Sequence, residues 1–181
     1  MLQVVRDFAL EQLDEFGETD RLRRAHADYF HGVIIAAEAT LRRDPDPVVE
    51  QFRADQPNIR AAIRWSLDVK EGGRVARMAA AIWPFLWIAG LLAEGVEVVQ
   101  EALLDETALS AAERAHARIG LGMLAFGQGD YETAAPALTA AIDLYTQLGD
   151  VRQVATASVP LGVIQAVGDT NGGENLSLIH I

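Results

Sequence analysis

The stretch that most restricts the fold runs from Ala115 to Gly149, AHARIGLGMLAFGQGDYETAAPALTAAIDLYTQLG. In its second half Tyr131, Ala134, Ala135, Leu138, Ala141, Ile142, Tyr145 and Leu148 recur at steps of three and four. That spacing lines one face of a helix. In the first half Leu121, Leu124 and Ala125 do the same, beside Gly122. A residue without a side chain lets a second helix backbone come close. Gly129 suits the positive φ that ends a helix, and Asp130 suits the cap of the next. Gly149-Asp150 repeats this stop-and-start signal one helix later. The prediction is two antiparallel helices that turn at Gln128-Gly129-Asp130-Tyr131.

The spacing of Leu121, Gly122, Ala125, Tyr131, Ala134, Leu138 and Ala141 resembles the tetratricopeptide repeat (TPR). Arg118 stands where that motif has an aromatic residue, and its closing proline is absent. Ala134 falls where the resemblance puts the contact between the two helices of a unit. Gly90, Gly129 and Gly168 are each 39 residues apart. After Gly90, the residues Gly95, Val99 and Ala102 correspond to Ala134, Leu138 and Ala141. After Gly168, Asp169 matches Asp130 and the pattern is then lost. The period exceeds the ~34 residues usual for this repeat class, so the helices or the turns must be longer. The expected fold is all-α, with antiparallel helical hairpins stacked as a TPR-like α-solenoid.

Composition narrows the function. Half of the 181 residues are hydrophobic and only six are proline, which suits an all-α chain. The formal charge of −11 argues against this segment gripping nucleic acid, because neutralising phosphates needs a basic face. There is no cysteine, so disulfides and thiol chemistry are excluded. The first 30 residues lack the apolar core of a signal peptide. The longest uncharged run, Met78 to Ala93, is 16 residues and contains Pro84 and Gly90, short of the ~20 that span a bilayer. The expectation is a cytoplasmic protein with no membrane partner.

Taken in order, Leu2 to Phe16 reads as an amphipathic helix with Val5, Phe8, Ala9 and Leu13 on one face, closed by Gly17. Thr19 or Asp20 is a candidate cap for a helix from Arg21 to about Leu41 that buries Leu22, Ala25, Tyr29, Val33, Ile34 and Ala37. Asp46 is the expected N-cap of a short helix reaching Ala54, with Pro47 at its first position. Asp55-Gln56-Pro57-Asn58 then starts another, with Ile59, Ala62, Ile63, Ser66 and Leu67 in register, Trp65 beside them and Glu71-Gly72-Gly73 at its end. Arg74 to Ala89 is a helix that Pro84 should kink near Ala80. Leu91 to Leu104 is its partner. Ser110-Ala-Ala-Glu113 is a capping box opening the helix that leads into the central repeat.

Three segments carry a second resemblance. Leu2-Gln-Val-Val-Arg-Asp-Phe-Ala-Leu-Glu-Gln-Leu13 resembles the end of the winged-helix part of bacterial NB-ARC/STAND regulators. Arg23-Arg-Ala-His-Ala-Asp-Tyr-Phe30 and Asn58-Ile-Arg-Ala-Ala-Ile-Arg-Trp65 are similar to two of their later helices. The resemblance implies a signalling ATPase, such as a LuxR-type transcriptional regulator, whose repeat region senses or docks a partner. It implies the end of a winged-helix module over residues 1–17, a helical linker bundle over 18–72, and TPR-like repeats over 73–169, the last incomplete. Residues 170–181 form an irregular tail. Both ends look cut, and residues 176–181 resemble a translated sequencing adaptor. No G-x-x-x-x-G-K-[ST] loop is present. No cofactor is therefore expected in this segment, and ATP only in an upstream module. The full-length protein is expected to bind DNA and to be capable of oligomerising.

No residue set points to catalysis. His26, Asp28 and His31 invite a metal reading, but histidines five apart diverge around a helix, unlike the i, i+4 pair of a zinc helix. The acids Asp14, Glu15, Glu18, Asp20, Glu97, Glu101, Asp105 and Glu106 read as solvated helix faces. Trp65, Trp83 and Trp87, with Phe85, either fill contacts between layers or line a groove for a protein or small effector. Arg60 and Arg64 share one helix face, and either pair with nearby acids or meet an acidic partner. The packing residues of the repeats are Gly90, Gly95, Leu121, Gly122, Ala125, Gly129, Tyr131, Ala134, Leu138 and Ala141. The functional reading is a protein-interaction or effector-sensing repeat segment. A free-standing TPR adaptor is the alternative, and a helical enzyme the third.

Overall fold

The computed structural model describes Gln12 and residues 15–171. The expected helix from Leu2, its stripe of Val5, Phe8, Ala9 and Leu13, and the tail from Gly172 lie outside the described residues. Among the described residues the fold is all helical, with seven α-helices and no strand. They are α1 (Thr19–Arg43), α2 (Asp46–Asp68), α3 (Gly72–Ile88), α4 (Leu92–Ala102), α5 (Ala111–Gln128), α6 (Tyr131–Leu148) and α7 (Val151–Asn171), with a 3-10 turn at Glu106–Ala108. Among the described residues no helix is long and apolar enough to cross a membrane.

The punctuation read from the sequence holds at the centre. Gly129 and Gly149 adopt left-handed φ of 76° and 74° and close α5 and α6. Gly90 does so at 72° after α3. Ser110 and Glu113 form the full capping box of α5, the Glu113 carboxylate accepting from the Ser110 amide at 2.8 Å. Asp130 accepts from Thr133 N–H, and Asp150 from Gln153 N–H, both at 3.1 Å. Each cap satisfies an amide that the helix cannot pair internally.

Several expectations fail nearer the N-terminus. Asp46 to Asp68 is one helix with Pro57 inside it, not two, and Pro45 rather than Asp46 holds the N-cap position. Phe52, Ile59, Ala62 and Trp65 are all buried on its two halves, so packing on both sides of Pro57 offsets the one hydrogen bond lost there. Neither Thr19 nor Asp20 caps α1. Thr19 is its first residue, Glu18 stands at the N-cap position, and no side chain bonds there. The buried stripe of α1 is Ala27, Phe30, Ile34, Glu38 and Leu41, whereas Leu22, Ala25 and Tyr29 are exposed. Both series keep helical spacing, and Glu38 made the true one look polar. The turn after α2 is taken by Lys70, at φ 60°, while Gly72 and Gly73 open α3. A Cβ on Gly73 would lie 1.8 Å from a Glu113 carboxylate oxygen, so that glycine admits α5 rather than ending α2. Gly168 is no turn either, because α7 runs through it to Asn171.

Each helix packs on its neighbours in sequence. Consecutive helices α1–α2, α2–α3, α3–α4, α4–α5, α5–α6 and α6–α7 touch, and so do the alternate pairs α1–α3, α3–α5 and α5–α7. The central helix α5 is therefore enclosed by α3, α4, α6 and α7, and Ile119 to Ala125 are all buried. Small residues permit this. A Cβ on Gly120 would meet Ala79 at 3.3 Å on α3, and one on Gly122 would meet Leu138 at 2.7 Å on α6. Gly95 makes room for Leu86 and Leu124 in the same way. The 39-residue spacing arises differently in each unit. Between α3 and α5 it includes a short α4 and a wide link through the 3-10 turn, whereas α5 and α6 are each 18 residues with tight turns.

Candidate functional site

The alternate helices α1, α3 and α5 border a cleft of about 620 Å³ lined by Asp28, His31, Arg74, Arg77, Glu113 and His116, with the Lys70–Gly73 turn and the Ala108–Leu109 link at its rim. The arginines come from helical spacing. Arg74 and Arg77, three apart on α3, fall on one side of that helix. Arg74 donates to Asp28 at 2.5 Å and pairs with Glu71 at 2.7 Å. Arg77 donates to Glu38 at 2.5 Å, and Arg42 donates to the other oxygen of Glu38 at 2.9 Å. One buried carboxylate thus serves two guanidinium groups.

Pro84 helps to fix this arrangement. It supplies no amide to the carbonyl four residues earlier, and that carbonyl, Ala80 O, accepts instead from Arg42 Nη2 at 3.3 Å. The expected weak point of α3 is therefore where α1 docks. Arg42 also reaches Gln153 of α7 at 3.5 Å, a long contact that brings the fourth alternate helix to the deep end. Behind His116 lies Tyr145, its ring centroid 6.1 Å away. Four buried polar atoms in this neighbourhood have no protein partner: Arg42 Nε, Arg77 Nη1, His116 Nδ1 and the Tyr145 hydroxyl.

Burial holds His116 below the usual histidine range, and the Arg77 charge adds to the effect against Glu38, Asp150 and Glu113. His31 is lowered for the same reasons, with Arg74 ahead of Arg77. Burial raises the Tyr145 hydroxyl, which stays protonated at neutral pH. Bonds from the Ser110 side chain and then its amide lower Glu113.

The residues nominated from sequence are distributed elsewhere. Trp65 is 8% exposed, part of the core between α1 and α3, with Arg24 over its ring at 5.2 Å. It also edges an open groove with Arg64, Leu22 and His26. Trp83 is half-buried between layers, and Trp87 is 38% exposed. Trp83, Trp87, Phe126 and Tyr131 follow one another at centroid spacings of 6.1, 6.1 and 6.0 Å. Phe85 instead turns into the core against Phe52. Arg60 and Arg64 bind Glu94 and Glu101 across the α2–α4 surface, so the pairing alternative describes them. His26 stacks near Phe30 at 4.8 Å, while Asp28 and His31 face the cleft. Among the described residues no group of His, Asp or Glu is placed to hold a metal ion.

The cleft residues Arg74, Arg77 and His116, with Glu38, Arg42 and Tyr145 packed behind them, were missed as a site. The available signals were the i, i+4 pair Glu38–Arg42 and the arginine pair on α3 just before a helical proline. What joins them is tertiary contact across separations such as Glu38 to Arg77 and Arg42 to Gln153.

Comparison with known proteins gives a consistent but distant relationship. The chain is 29% identical over 131 residues, 68% of its length, to proteins named "Putative HTH-type transcriptional regulator" from Mycobacterium bovis and from two strains of Mycobacterium tuberculosis. It spans about 14% of the length of those relatives. No family model matches the chain, and no solved structure matches it.

Proposed function

We propose that this chain is a TPR-like, solenoidal segment of a transcriptional regulator, with no catalysis of its own, whose role is to sense an effector or dock a partner. The observation that carries the reading is the contact order of the helices. Each packs mainly on its sequence neighbour and on the next but one, as expected of stacked hairpins in which most contacts run between adjacent units, with the long Arg42–Gln153 contact between α1 and α7 as an exception. Alternate helices then share one face, and here that face holds the cleft. Distant likeness to proteins named as HTH-type regulators supports the regulatory half of the proposal.

On this reading the complete protein is a cytoplasmic NB-ARC/STAND ATPase of LuxR or related type. ATP and DNA are bound by modules outside this segment. The cleft, or the aromatic row from Trp83 to Tyr131, meets the partner. Extending the source DNA upstream tests the assignment. An in-frame G-x-x-x-x-G-K-[ST] module is the expected result. A genuine translation start at Met1 would favour a free-standing repeat adaptor.

A further inference from the structure

Resting on the reading of the cleft as a sensing surface, we propose that its deep end binds the oxyanion group, carboxylate or phosphate, of a small ligand through Arg77 and His116, with Arg42 and Tyr145 completing the donor set. The first argument is the shared anion. Arg42 and Arg77 have the single carboxylate of Glu38 between them, and among the described residues no second carboxylate pairs with either. The second is unused hydrogen bonding. Arg77 Nη1 and Arg42 Nε can only donate, and both are buried without a partner, as are His116 Nδ1 and the hydroxyl of Tyr145, a residue only 2% exposed. Buried polar groups are almost always paired, so four in one neighbourhood mark a place where an acceptor belongs. A carboxylate or phosphate brings several acceptor oxygens, and guanidinium donors suit both. The third is size and access. Arg77 and His116 line the open cleft, whose volume of about 620 Å³ falls within the ~300–1,000 Å³ range of small-molecule sites.

The test is thermal melting and calorimetric titration of the whole chain with sodium phosphate and, separately, sodium succinate, against sodium chloride at matched ionic strength. One of the two oxyanions should raise Tm and show saturable binding that chloride does not, and which one does so separates the phosphate from the carboxylate source. Arg77→Gln should abolish the response. Tyr145→Phe, which keeps the ring and removes only the hydroxyl, should weaken it at least threefold, and Arg60→Gln on the outer surface should leave it unchanged. The proposal is overturned if neither oxyanion exceeds chloride, or if Tyr145→Phe binds as tightly as the unaltered chain. Anion binding reads this site alone, whereas the upstream reading frame tests the regulator assignment, so each can fail without the other.

Discussion

Gly122 and Glu38 show how much depends on single positions. Leu138 occupies the space beside Gly122, where an added Cβ would approach it to 2.7 Å. Gly122→Ala should therefore destabilise the chain by about 1–3 kcal/mol through overpacking. Leu138→Ala alone should cost ~2–5 kcal/mol as a cavity. Combined, they should cost less than their sum, because the truncated Leu138 makes room for the new methyl; urea melts of the three variants check this. Glu38, 8% exposed, is surrounded by two arginines, and Glu38→Ala would leave both guanidinium groups without their shared anion. Removing one member of such a buried pair costs ~3–5 kcal/mol, measurable in the same melts. The periodicity of α5 and α6 announced Leu138, Ala134 and Gly122 because apolar spacing encodes packing directly. Glu38 was illegible for the opposite reason: a charge on the core stripe makes sense only once Arg77, 39 residues away, is seen to meet it.

Among the elements, α2 and α3 are the instructive cases. Pro57 is expected at the start of a second helix, yet it sits inside α2; Pro84 is expected within a helix and does lie inside α3. Local propensity opposes that, but burial on both sides of each proline outweighs it. At Pro84 the structure also supplies a substitute donor, Arg42, for the Ala80 carbonyl. Pro84→Ala would restore the missing amide and make that donor redundant. Arg42→Met should consequently cost about 0.5–1.5 kcal/mol less in the Pro84→Ala background than in the original chain, the net value of one hydrogen bond. A double-mutant cycle in urea gives the difference, and strict additivity would count against the role assigned to Arg42. The caps were legible because Ser110, Asp130, Gly129 and Gly149 act on their own turns. The exit from α2 was not, because the need for Gly73 comes from Glu113 on another helix.

Across the whole molecule, the cleft gives stability a pH dependence with a definite sign. His31 and His116 have folded pKa values below the ordinary histidine value of 6.5. The unfolded chain therefore takes up protons first as pH falls through about 6.5, and stability declines from there toward the lower folded values. Glu113, lowered by its capping bonds, contributes stability that stays constant above its unfolded value of 4.5. Between pH 7.5 and 5.5 Tm should accordingly fall, and His116→Gln should flatten the slope. The all-helical architecture and the hairpin at Gly129 were legible in the sequence, and the shared face of alternate helices was not, since it depends on how units stack. The row from Trp83 to Tyr131 is a separate surface. Trp87→Ala should lower partner affinity with little change in Tm if that row is used in docking.

Stacking of each helix chiefly on its near neighbours, with Arg42–Gln153 a single long link between α1 and α7, is the premise on which these statements converge, and native-state amide hydrogen exchange of Gly122→Ala against the unaltered chain tests it most directly. A stack of near-neighbour contacts transmits damage over a limited range. Protection should drop in α5 and α6, less in α3 and α7, and hardly at all in α1 and α2. A uniform loss of protection across all seven helices would contradict the account.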